Sequence, residues 1–101
     1  MDRIKDTDTM IKIELGKEGR FLSGRSRVSE ILGKFDPNAL RADEVQISFA
    51  DVESCSQSFV SELVFKLKEF GVQKGKIKVS DIADKEIERR VSTELHRLDM
   101  I

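Results

Sequence analysis

Apolar and polar positions alternate at the start of the chain: Met10, Ile11, Ile13 and Leu15 oppose Lys12 and Glu14. A period of two predicts a strand over residues 10–15. Gly16–Gly19 reads as a turn, and Arg20–Ser23 as a short second strand pairing with the first as a hairpin. The period then changes. Val28, Ile31, Leu32 and Phe35 recur at helical spacing and predict an amphipathic helix over about 25–35, capped by Ser23 or Ser26. Asp36-Pro37-Asn38 ends it, because proline restrains the residue before it and cannot continue a helix. Residues 39–43 read as a link.

Val45, Ile47 and Phe49 alternate with Gln46 and Ser48 as another strand, with Val52 following. A small polar run, Ser54-Cys55-Ser56-Gln57-Ser58, then opens a long helix over about 56–70. Its apolar face is Phe59, Val60, Leu63, Val64, Leu67 and Phe70. Ser54 and Gln57 have capping-box spacing, and Gly71 is placed to close the helix. After Gly75, Ile77 and Val79 alternate with Lys76 and Lys78 as a last strand. Asp81 or Asp84 begins a final helix with Ile87, Val91, Leu95 and Leu98 on one side. The order β-β-α-β-α-β-α predicts an α/β domain, a parallel or mixed β-sheet of about four strands covered by about three helices.

Composition narrows the function classes. The chain has 101 residues, enough for one domain over 10–101 behind a flexible polar segment at 1–9. Charged residues make up 37%, yet 18 basic ones face 19 acidic ones. Balanced, interspersed charge implies a solvated surface rather than disorder or a polyanion binder. No run of 18 apolar residues exists, and Asp2, Lys5, Asp6 and Asp8 leave no apolar core for a signal peptide. A cytoplasmic protein without membrane insertion is expected. Cys55 and His96 are each the sole residue of their type. That leaves no internal disulfide, zinc cluster or Cys-His pair, so a non-enzymatic protein without cofactor or metal is expected. Cys55 reads as a buried, inert thiol, and His96 as exposed.

Two features carry candidate chemistry. Ser54, Ser56 and Ser58 lie where a strand hands over to a helix, where unpaired amides and the helix dipole favour anions. They read either as ordinary caps or as a modifiable, partner-contacting loop. Phe65 points away from the apolar face of its helix, either as a solitary exposed aromatic or as a partner contact flanked by Val60 or Val64. Arg20, Arg25, Arg27 and Lys34 form one basic group, and Lys74, Lys76 and Lys78 another. These support an alternative reading, a small nucleic-acid-associated module, although acidic neighbours and the lack of interleaved surface aromatics favour a solvated face.

Two segments give the pattern a likeness: Gly19-Arg20-Phe21-Leu22-Ser23-Gly24-Arg25-Ser26 and the stretch from Val45 to Leu67. In the latter, Ser48-Phe49-Ala50-Asp51-Val52-Glu53-Ser54 precedes Gln57-Ser58-Phe59-Val60-Ser61-Glu62-Leu63. Together they resemble the STAS fold of sulfate transporters and anti-sigma factor antagonists, and within it the bacterial STAS-like group of unknown function. The resemblance covers about residues 10–98. It implies regulation by binding, with a protein partner such as a kinase-like ATPase of the histidine-kinase superfamily. In that family the partner phosphorylates a serine at the start of the helix that here begins near 56. Here Ser56 and Gln57 stand at the family's Asp-Ser, and Gln57 cannot be phosphorylated; Ser56 and Ser58 are the candidate phosphoacceptors. Ser61 stands where the STAS-like group often has Asp, while Glu62 is retained. The partner surface expected from the resemblance is Ser54, Ser56, Gln57, Ser58, Ser61, Glu62 and Phe65. A twofold homodimer is the other expected mode of association.

Overall fold

The computed structural model describes residues 10–42 and 44–101. The segment 1–9, expected to be flexible, lies outside them, as does Asp43 of the expected link. Among the described residues β1 (Met10–Glu14), β3 (Glu44–Ser48) and β5 (Ile77–Ser80) form one parallel sheet in the order β1-β3-β5. A second parallel sheet joins β2 (Phe21–Leu22) to β4 (Ser54–Cys55). The helices are α1 (Arg25–Leu32), α2 (Pro37–Ala42), α3 (Gln57–Glu69) and α4 (Lys85–Arg97).

The α/β class holds, with corrections of detail. Among the described residues there are five strands in two all-parallel sheets and four helices, in the order β-β-α-α-β-β-α-β-α. The expected hairpin does not form. Instead β1 pairs with β3 and β2 pairs with β4, both in parallel. The cause is the segment between β1 and β2. Leu15 turns fully into the core within a 3-10 turn at Leu15–Lys17, and the chain leaves the sheet there. Pro37 does not leave a plain link behind it. It takes the first position of α2, where its missing amide hydrogen is not needed, and the Asp36 carboxylate accepts from the Asn38 amide at 3.0 Å. Helix α1 stops at Leu32, short of Phe35, and Gly24 precedes it without any side-chain cap from Ser23 or Ser26.

The register places Ile11, Val45 and Ile77 in one row and Ile13, Ile47 and Val79 in the next. These rows face the core, while Lys12, Glu14 and Lys78 on the opposite face are exposed. Helix α3 packs between α1 and α4, with Phe59, Val60, Leu63, Val64 and Leu67 buried. The end expected at Gly71 is present. Gly71 has φ +99°, its amide donates to the Lys68 carbonyl, and the Val72 amide reaches back to Leu67, each at 3.0 Å.

Gly16 marks the tightest backbone approach. A Cβ built there would collide with the carbonyl oxygen of Ala50, in the loop after β3. The turn after β1 therefore lies directly on the turn after β3. Gly16→Ala should destabilise the fold by roughly 1–3 kcal/mol through this overpacking. A denaturant midpoint unchanged from wild type would show that the two turns are not in contact.

Candidate functional site

The two turns deliver β2 and β4 to each other. The Arg20 carbonyl accepts from the amides of Glu53 and Ser54 at 2.7 and 3.1 Å, and the Leu22 carbonyl accepts from Ser56 at 2.9 Å. Helices α1 and α3 start immediately afterwards, so their N-termini lie side by side. This hand-over holds the serine run in place. Ser54 belongs to β4 and is exposed, so it cannot cap the helix as its spacing to Gln57 predicted. Ser56 is the cap: its hydroxyl accepts from the Phe59 amide at 3.1 Å and lies 3.1 Å from the Ser58 hydroxyl. Ser58 is exposed in the first turn.

Gln57 is exposed, yet its side-chain Nε2 donates to the Glu94 carboxylate of α4. Glu94 is buried, and its other oxygen accepts from Arg97 Nε at 2.8 Å. Arg97 in turn donates to the Ser61 hydroxyl at 3.0 Å. One carboxylate thus ties the start of α3 to the end of α4.

Five of the seven predicted partner residues line two separate depressions, and Gln57 and Ser58 line neither. Ser61, Glu62 and Phe65 line a groove of about 310 Å³ together with Arg25, Arg97 and Leu98. Phe65 is 44% exposed within it. Ser54 and Ser56 line a separate depression of about 200 Å³ with Phe21, Leu22, Ser23, Cys55 and Arg90. Val60 and Val64 are fully buried and do not flank Phe65 at the surface. Its neighbours there are Arg25 and Leu98, which no periodicity in α3 could reveal because they come from α1 and from the end of α4. Arg97 was equally hidden.

A larger cleft of about 580 Å³ opens at the carboxyl ends of β3 and β5, lined by Arg20, Phe49, Asp51, Val52, Glu53, Asp81 and Ala83. Asp51 and Asp81 both hold left-handed backbone there, with φ of 69° and 63°. The Asp81 carboxylate accepts from the Ser48 and Ser80 hydroxyls at 2.9 and 3.2 Å, and Arg20 pairs with Glu53.

Most members of the two basic groups have an acidic neighbour. Arg27 pairs with Glu30 and Glu18, Lys34 with Glu18 at 2.8 Å, Lys74 with Asp99 at 3.1 Å, and Lys78 lies 3.9 Å from Glu44. Such pairing lowers the positive field that a phosphate backbone would follow along these two groups. Cys55 is buried, and burial pushes its thiol up to about 12, against the weaker pull of Arg90. Arg90 donates instead to the Cys55 carbonyl, at 2.7 Å. His96 is exposed, with Nδ1 2.9 Å from the Ser92 carbonyl.

Ser56→Ala should cost about 1 kcal/mol by removing the α3 cap, while Ser58→Ala should change stability by less than about 0.5 kcal/mol. Urea midpoints at constant slope measure both. Cys55 gives a pH dependence. Its usual value is 9.0, so above that pH the unfolded chain loses a proton that the folded chain retains up to about 12. Stability should be level below pH 9 on this account and fall as pH rises from 9 toward 12. Cys55→Ala should flatten that fall in alkaline denaturation.

A family model described as STAS-like domain of unknown function (DUF4325) matches residues 29–86, over half of the chain. No curated protein and no solved structure gives a significant match. No described helix is long and apolar enough to cross a membrane.

Proposed function

The chain belongs to the STAS-like domains of unknown function, and from that premise we propose that it is a non-enzymatic regulatory module that binds another protein through the exposed side of α3. The observation that carries this reading is the groove that brings Ser61, Glu62 and Phe65 together between α1 and α4. An aromatic ring that the core does not need, set among arginines, has the composition of an interaction hot spot. The partner class is the one the resemblance implies, a kinase-like ATPase.

Control by serine phosphorylation belongs to the same proposal, with Ser58 as the favoured acceptor. Ser56 is occupied as the helix cap, whereas the Ser58 hydroxyl is exposed one residue beyond Gln57. A phosphate there lies near the positive end of the α3 dipole, so the fold can hold it while the surface gains about two negative charges. The consequence would fall on the partner rather than on the domain itself.

The test is affinity capture with ATP present, wild type beside Phe65→Asp, with mass spectrometry of bait and bound proteins. Phe65→Asp should change folding stability by less than about 1 kcal/mol, as an exposed helix position. It should weaken retention of an ATPase by at least about tenfold. An ATPase held equally by both proteins would remove the groove from the interface. Phosphate on Ser58 of the recovered bait would establish the switch, and its absence after incubation with the captured ATPase and ATP would refute it.

A further inference from the structure

The groove beside Phe65 separates its charges by depth. The cations stand outward: the Arg25 side chain is 72% exposed and that of Arg97 56%. The carboxylates lie beneath them, Glu62 at 17% and Glu94 at 6%. Glu94 is occupied by Gln57 and Arg97. Glu62 lies 3.9 Å from Arg25 Nε, too far for a hydrogen bond. Lys68, exposed one turn along α3, donates to the Leu98 carbonyl at 2.7 Å and adds a third cation at the rim. A molecule approaching this face meets guanidinium groups first; each recessed acid offsets one arginine, and Lys68 leaves three cations against two carboxylates in this group. Between the cations lie Phe65 and Leu98, an apolar floor.

We propose that the groove receives an acidic segment of a protein partner, with a large apolar side chain of that segment against Phe65 and Leu98 and its carboxylates on Arg25 and Arg97. The inference rests on the partner-binding reading above and adds the chemistry of the bound segment. Arginine forks match carboxylates in geometry as well as charge. A basic segment would face three outward cations, and a nucleic-acid backbone would leave the apolar floor uncovered.

The experiment uses three sets of fluorescent short peptides: acidic residues around Leu or Phe, basic residues around the same anchors, and neutral controls. Binding to the full chain is read by polarisation and by shifts of the Phe65 and Leu98 backbone amides. The variants are Phe65→Asp, Arg25→Glu and Lys85→Glu. Glutamate suits position 25, the first residue of α1, where the helix dipole favours a negative charge, so the fold should be retained. Lys85→Glu makes the same change in net charge about 18 Å from Arg97 along α4. The acidic set should bind, weaken as salt is raised, and lose about tenfold or more in affinity with Arg25→Glu but not with Lys85→Glu. Preference for the basic set, no groove shifts with any set, or equal loss with Lys85→Glu would each overturn the proposal. The same variants separate the two readings in lysate capture. An ATPase lost with Phe65→Asp but kept with Arg25→Glu keeps the interface and rejects its acidic occupant. An ATPase kept by both variants rejects the interface itself.

Discussion

The short parallel pairing of β2 with β4 sets the positions of nearly everything else. Only two residues of each strand take part. Yet Arg20 and Leu22 supply the carbonyls that receive Glu53, Ser54 and Ser56, and the last of these is the cap of α3. The pairing can form because the turns before it nest. Leu15 enters the core, and Gly16, lacking a Cβ, lies against the Ala50 carbonyl. The chain therefore runs twice through one layout, strand, turn, short strand, helix, with the two passes side by side. The starts of α1 and α3 are brought together by that duplication, and so are Arg25 and Glu62, from which the groove is built.

Long periodic elements were legible from the residues. The buried set on α3, the last helix and the closing Gly71 all follow from spacing and cap chemistry, while the structure chooses Asp84 over Asp81 as the cap of α4. What escaped were features decided by non-local contacts. Nothing in Arg20–Ser23 distinguishes a hairpin partner of β1 from a parallel partner of a segment some thirty residues later; the choice depends on how Gly16 meets Ala50. Ser54 and Gln57 have the spacing of a capping box, but pairing with Phe21 draws Ser54 into a strand, and Glu94 takes Gln57. The cap passes to Ser56. Likewise Pro37, read as a stop, is also a start.

The site shows the same division. Exposure of Phe65 follows from helical angle alone. Its setting does not, because Arg25 comes from α1 and Arg97 and Leu98 from the far end of the chain. Glu94 is the least legible residue of all. It lies on the apolar side of an otherwise strongly charged helix, and only the fold explains a buried carboxylate there. Its two oxygens hold Gln57 and Arg97, so it supports the groove without entering it. Removing one partner of such a buried charge is more damaging than replacing the set by apolar residues.

The polar face of the three-stranded sheet has a consequence of a different kind. β1 and β5 are its outer strands. An outer strand presents unpaired backbone groups on which another chain can add, and long flat apolar edges invite such stacking. Here Lys12 stands on one outer strand and Lys78 on the other, in register across Gln46. Two copies approaching edge to edge would bring these ammonium groups together. Like charges meeting across such a pairing would oppose it, so Lys12 and Lys78 stand where they would discourage edge-to-edge addition rather than invite it.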